Sequence, residues 1–293
     1  MRYLDPRADL TFKKVFGEHP DLVISFLNAL LPFDDDNRVE SVEYIPTELV
    51  PDNPLKKNSI VDVRCKDQRG RQFLVEMQMI WSEEFKQRVL FNASKAYVRQ
   101  LDKRGNYDLL QPVYSLNLVN DVFEPELKEY YHHYDIVNVE HSDRVIEGLH
   151  LVFVELPKFK PHNFSERKMQ VLWLRYLTEM GDAREVPKEL LDNPEVKKAC
   201  DILEESSYSP AQLEGYEKFW DIVRTEKTYF NSARKHGFAE GRAEGRAEGR
   251  AEGRAEGRAE TQTAIARNLK SLGMSNEQIA AATGLAEEEI NKL

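Results

Sequence analysis

Two runs of alternating apolar residues, SIVDVRC (residues 59–65) and RQFLVEMQMI (residues 71–80), stand on either side of the five residues KDQRG. A period of two commits each run to a strand, and a short polar segment ending in glycine joins them as a hairpin. Whatever else the chain forms has to pack around that hairpin. Alternation puts Val61, Val63 and Cys65 with Val75 and Met77 on the core face, and Asp62 with Glu76 and Gln78 on the other. With Cys65 opposite Arg71, Asp62 faces Leu74, and Glu76 is its diagonal neighbour, about 7–8 Å away between backbones. Two readings stay open. The acidic face is solvated, or the two carboxylates reach into a cleft and share one cation. Like charges so close raise a pKa, and a hard divalent cation with oxygen ligands removes that cost.

Helical periodicity lies on both sides of the hairpin. Asp9 to Phe16 place Phe12, Val15 and Phe16 on one face. A second helix starts at Pro20 and Asp21, carries Leu22, Val23, Phe26, Leu27, Leu30 and Leu31, and is stopped by Pro32. Arg38 to Val50 reads as extended. After the hairpin comes an amphipathic helix from Glu83 to Lys103, closed by Gly105. QPVYSLNLVNDVF and LHLVFVEL are further strands. Ser165 to Phe230 is helical, with Trp173, Leu174, Leu177, Leu203, Phe219, Trp220 and Val223 as core. This order predicts a mixed α/β (α+β) fold with a helical C-terminal region.

The net charge of −10 argues against a basic coat over the whole chain, while leaving room for a local basic groove. Two widely spaced cysteines, Cys65 and Cys200, fit a reducing compartment and provide neither a disulfide framework nor a zinc box. MRYLDPRADLTFKKVFG lacks the apolar core of a signal peptide, and no apolar run is long enough to span a membrane. The expectation is a soluble, cytoplasmic protein without a membrane partner. In YYHHYD, adjacent His132 and His133 point apart, so no zinc site is expected there.

Taken in order, ADLTFKKVFG, VDV, VEMQ fourteen residues on, FKQRVLFNASKAYVRQLDKRGNYDLLQPVYSLNLVNDVF and FVELPKF resemble the PD-(D/E)XK nucleases. The likeness is to their recombination-promoting nuclease and transposase branch. It implies a restriction-endonuclease-like core and metal-dependent hydrolysis of DNA phosphodiesters, linked to recombination or transposition. Asp62 matches the first catalytic acid and Glu76 the second. Both would bind Mg²⁺ or Mn²⁺, helped by the backbone carbonyl of Met77. Gln78 falls where the signature has lysine, and Val61 where it has proline. Asp9 and Lys13 match the acidic and lysine positions of the first helix. Arg88, Tyr97 and Gln100 match polar positions facing the cleft, and Arg99 is a further candidate contact to DNA phosphates. The amide at Gln78 carries no positive charge, so a second implication stands beside the first: a catalytically weak nuclease fold acting as a DNA-binding or regulatory partner.

Beyond Gly237 the unit AEGR repeats from Ala239 to Glu260. Glycine every fourth residue makes an isolated helix marginal, so the segment reads as a flexible spacer or a helical dimer stalk. The segment TAIARNLKSLGMSNEQIAAATGLAEEEINKL resembles a helix-turn-helix, but its second helix has neither Arg nor Lys, which favours packing or self-association over base reading. The expected organisation is a nuclease-like core over 1–160, a helical annex over 161–236, the repeat over 237–260 and a small helical tail over 261–293. The expected partners are DNA and further copies of the chain, joined through the C-terminal region.

Overall fold

The computed structural model describes residues 2–49, 59–101, 105–161, 168–181 and 183–293. The expected boundaries at Val50, Lys103 and Ser165 fall outside them. Two compact units result, Met1–Thr225 and Glu226–Leu293.

In the first unit, α1 (Asp9–Glu18) and α2 (Pro20–Leu30) are separated by His19, and Pro20 occupies the start of α2, where a missing N–H costs nothing. Strands β1 (Val42–Tyr44), β2 (Glu48–Leu49), β3 (Ser59–Ile60), β4 (Val63–Asp67) and β5 (Gln72–Gln78) follow. Next come α3 (Glu84–Val98), β6 (Val113–Val119), β7 (Tyr131–Tyr134) and β8 (Leu149–Glu155). Helices α4 (Lys168–Glu179), α5 (Lys188–Leu191), α6 (Pro194–Ile202) and α7 (Pro210–Ser271) follow, and residues of α7 up to Thr225 belong to this unit. Prolines 194 and 210 open α6 and α7, which divides the stretch read as helical into separate elements.

Six strands form one mixed sheet in the order β1-β4-β5-β6-β8-β7. The β4–β5 hairpin is antiparallel, β5–β6 and β6–β8 are parallel, and β7 closes the far edge antiparallel to β8. One face carries Val63, Cys65, Phe73, Val75, Leu116, Leu118, Val152 and Val154 against α1, α2, α4 and α6. Phe16 sits in the middle of that layer, with ring contacts to Phe12, Phe26, Trp173 and Tyr176. The other face is covered by α3, where Ala93 and Ala96 meet Leu74 and Val113, and Phe85 and Val89 meet Val119 and Phe153. The result is helix, sheet, helix, the architecture expected of mixed α/β chains.

The hairpin register differs from the expected one by two residues. Cys65 pairs with Phe73, and Val63 with Val75. The cause is the turn: Asp67 and Arg71 close a three-residue loop, with Gly70 at φ +81° supplying the left-handed residue that such loops require. The Asp67 carboxylate accepts from the backbone N–H groups of Arg69 and Arg71 and from Arg71 Nε. Extending this register by one residue sets Asp62 opposite Glu76 rather than opposite Leu74. Val61 also departs from expectation, because the chain bends at Asp62 and Val61 packs with Leu49 and Leu74 on the α3 side.

Helix α3 ends at Val98, short of the expected Lys103. Gln100 explains the stop, since its side-chain amide bonds both the N–H and the carbonyl of Gln111 and fixes the chain's return toward β6.

In the second unit, the rest of α7 is followed by α8 (Asn276–Thr283) and α9 (Glu287–Asn291). The repeat is helical throughout. A capping box of Ser275 and Gln278 starts α8, Gly284 at φ +74° ends it, and Ala266, Ile279 and Ile290 form a small core. No helix among the described residues is long and apolar enough to cross a membrane.

Candidate active site

The polar face of β5 is not turned to water. Helix α3 lies over it, and Leu74, Glu76 and Gln78 point toward that helix. Glu76 is only 6% exposed. Its Oε1 accepts from Asn92 Nδ2 at 3.0 Å, and its Oε2 lies 3.5 Å from Arg88 Nη2. Arg88 and Asn92 are four residues apart on α3 and so share a face. Asp62, at the bend before β4, accepts from the Met77 N–H through Oδ2 at 2.7 Å. Its other oxygen is 4.0 Å from Lys13 Nζ, which also pairs with Asp9 at 2.6 Å. Helix α1 thus delivers Asp9 and Lys13 to the Asp62 side, and α3 delivers Arg88 and Asn92 to the Glu76 side. Between them opens a cleft of about 690 Å³, lined by Ile60, Asp62, Glu76, Gln78, Arg88 and Asn92 among others.

The electrostatics follow from this packing. Burial pushes the Asp62 carboxyl up to about 6, Glu76 and Asp9 add to the rise, and the Met77 N–H and Lys13 oppose it. About a quarter of the Asp62 side chain (24%) stays open to the cleft, while the surrounding strand and helix exclude most of the water that would solvate its charge. Burial also raises Glu76, against the hydrogen bond from Asn92 and the charge of Arg88. Two carboxylates that are costly to ionise therefore face one cleft. Gln78 is engaged at both ends: Nε2 donates to the Ile80 carbonyl at 2.6 Å, and Oε1 accepts from Arg88 Nη2 at 2.6 Å.

The remaining candidates stand elsewhere. Tyr97 and Gln100 lie about 14–18 Å beyond Arg88 along the chain's helical rise. Tyr97 packs with Ala93, Ala96 and Val113 in the layer under α3, and Gln100 is committed to Gln111. Arg99 is exposed at the C-terminal end of α3. None of the three lines the cleft. Asn92 does, and it was not among the expected site residues. Its signal was present: it is a polar residue on the stripe of α3 that otherwise holds Phe85, Val89, Ala93 and Ala96. Its Oδ1 is buried without a hydrogen-bond partner.

An acidic pair across one hairpin, Glu76 on β5 and Asp62 at the bend before β4, in a mixed sheet with helices on both faces, agrees with what a family comparison finds. The family described as PD-(D/E)XK nuclease family transposase matches residues 6–233. The chain belongs to that family. Membership implies a nuclease- or transposase-related function. Neither curated proteins nor solved structures produced a match. The PD-(D/E)XK match takes in the whole sheet and its covering helices and ends within α7, before the AEGR repeat begins.

Proposed function

We propose that the protein is a metal-dependent DNA endonuclease acting in recombination or transposition, with Asp62 and Glu76 as the cation ligands. The observation that carries this reading is the pairing of two desolvated carboxylates across one hairpin, both opening on the same cleft. Their oxygen donors suit a hard cation such as Mg²⁺ or Mn²⁺, which needs only one or two protein carboxylates beside water and phosphate. The Met77 N–H is turned toward Asp62, and since a strand residue directs its N–H and C=O to the same side, its carbonyl would serve as a further oxygen donor. When bound, such a cation activates water and offsets charge that develops on the phosphate.

The chain's own residues divide the remaining work. Asn92 orients Glu76 and keeps it ionisable. Arg88, held by Gln78 and Glu76, supplies the positive charge at the place where the family signature has a lysine. Lys13 supplies a second positive charge beside Asp62. Arg99 stands outside the cleft as a contact for DNA phosphates, whereas Tyr97 and Gln100 support it by fixing the end of α3. Self-association is assigned to the second unit.

One observation favours a slower enzyme or a DNA-binding partner. Both ends of the Gln78 amide are already engaged, which leaves it one N–H and no positive charge to offer a phosphate, where the signature lysine would bring a full charge. Plasmid nicking by the purified chain with Mg²⁺, Mn²⁺ or EDTA decides the matter. Cation-dependent nicking that disappears in Asp62→Ala supports the nuclease. Absent nicking, with DNA still retained, supports the binding partner, and nicking that persists in EDTA overturns the cation assignment.

A further inference from the structure

Three side chains at the far edge of the sheet converge although they are widely separated in sequence. Edge strand β7 carries His133 and ends just before Asp135, and β8 begins at Leu149 and His150. Continuing the register of Tyr134 with Leu151 by one residue sets Asp135 opposite His150. His150 Nδ1 lies 2.6 Å from Asp135 Oδ1, and His133 Nε2 lies 3.1 Å from the same oxygen. Among the described residues this is the one group of three His, Cys, Asp or Glu side chains whose ligand atoms all fall within 4.8 Å of one another.

His150 is held in place rather than left to adapt. Its ring is 7% exposed and stacks on Tyr114 at 4.4 Å with 12° between the planes. Its second nitrogen, Nε2, is buried and makes no well-formed hydrogen bond, although Glu147 Oε2 stands 3.0 Å away.

We infer that His133, Asp135 and His150 form a binding site for a borderline divalent transition metal, with Zn²⁺ as the fitting ion. Two imidazoles and one carboxylate match the nitrogen and oxygen donors that Zn²⁺ takes, and they do not suit Mg²⁺, which requires oxygen. Ligands at Zn²⁺ distances stand about 3.3 Å apart in a tetrahedron, and the two separations from the Asp135 oxygen, 2.6 and 3.1 Å, lie just below that value, so small side-chain shifts would admit the ion. With Nδ1 on the ion, Nε2 carries the ring proton toward Glu147, giving the carboxylate–histidine–metal arrangement that fixes tautomer and ring orientation. Three protein ligands leave a fourth position for water.

The location assigns the site a structural role. Asp135 and His150 form the neck of the segment 136–148, which is otherwise pinned by the Val137–Val145 bridge and the Ile146 N–H to Ile136 carbonyl bond. An ion at the neck closes that loop and fastens the edge strand to β8. The site is separate from the carboxylate cleft. His150 aligns with Tyr114 and Phe73, three residues before Glu76 along the parallel strands and on the opposite face of the sheet.

The test uses the full chain, stripped with chelator and titrated with Zn²⁺ against a chromophoric competitor. One equivalent should bind to wild type and equally to Asp62→Ala, and bind at least about tenfold more weakly to His133→Ala and to the near-isosteric Asp135→Asn. Co²⁺ in wild type should give the intense visible bands of a four-coordinate site, and Zn²⁺ should raise the melting temperatures of wild type and Asp62→Ala well above any rise in His133→Ala or Asp135→Asn. The two variants touch exposed or half-exposed positions, and their cation-free melting curves confirm that they are folded. Equal Zn²⁺ binding by wild type and Asp135→Asn overturns the assignment, as does a lack of binding by wild type. Loss in Asp62→Ala instead moves the ion to the carboxylate cleft and equally overturns it.

Discussion

Replacing Asp62 by Asn should make the cation-free protein more stable while abolishing the cation binding proposed for it. The carboxyl moves from 3.8 to about 6 in the fold, a shift of about two units, mainly through burial. Each unit is worth about 1.4 kcal/mol, so keeping Asp62 ionised at neutral pH costs the fold up to about 3 kcal/mol. Water reaching the open quarter of the side chain brings the expectation to about 2–3 kcal/mol. Because the folded pKa lies above the unfolded one, the native state holds the extra proton between about pH 4 and 6, and stability falls as pH rises through that window. An asparagine keeps an oxygen for the Met77 N–H, so the main hydrogen bond survives. Unfolding in urea, with EDTA, should therefore give equal stabilities for wild type and Asp62→Asn near pH 4 and a gap that opens to about 2–3 kcal/mol at pH 7. For a unit of this size the gap corresponds to about 4–10 °C in melting temperature. Adding Mn²⁺ at pH 7 should raise wild type and leave the variant unmoved. Parallel pH profiles, or a variant less stable at pH 7, would refute the reasoning, since either means that Asp62 is not held at a cost.

Asn92→Ala removes the hydrogen bond that opposes the rise at Glu76, so cation affinity should drop by about 10–100-fold, as measured by Mn²⁺ titration. Arg88→Ala should lower DNA nicking by roughly 10²–10³-fold if its charge stands in for the signature lysine, and adding Gln78→Lys in that background should restore part of the loss. Unchanged nicking by Arg88→Ala removes it from the site. Glu155 is fully buried and accepts from Lys158, His132 and the N–H groups of Phe123 and Glu124, so Glu155→Ala should cost about 3–5 kcal/mol in chemical denaturation. Deleting residues 237–293 should leave a folded protein with a melting temperature within a few degrees of the full chain, and light scattering then reads whether the mass per particle falls.

The hairpin was legible because period-two alternation survives any environment: Phe73, Val75 and Met77 sit on one side of β5 and Glu76 and Gln78 on the other, as read. What covers the polar side was not legible, since nothing local in VEMQ distinguishes a solvated face from one roofed by a helix that starts at Glu84. The register slipped by two because it depended on the Asp67 carboxylate organising its own turn, an interaction between residues on one side of Gly70 and the other. Asn92 was overlooked for a related reason. A polar residue on an apolar helical stripe announces that it has a buried partner, without saying which. His150 and His133 illustrate the limit of spacing altogether, because seventeen positions of sequence separate residues that an edge-strand pairing brings side by side. The FVELPKF segment, quoted for its likeness alone, acquires a physical reason from Glu155 and Lys158, which tie the loop at 123–124 to the end of β8.

The helical AEGR repeat has a geometry of its own. Four residues advance an α-helix by about 400°, so each copy of the repeat is rotated by about 40° from the one before. From Gly241 to Gly257 the glycine seam winds through about 160°, nearly half the circumference. Glutamate falls four residues from glutamate and arginine from arginine, so the neighbours along each winding row repel. A heptad lags the helix slightly and coils left-handed; a tetrad overshoots it and calls for the opposite hand, with a much larger mismatch. Two such helices can touch through their glycines only where they cross, over about one or two turns, unless both are wound into a right-handed rope. Lengthening the repeat adds reach to such a helix without adding grip.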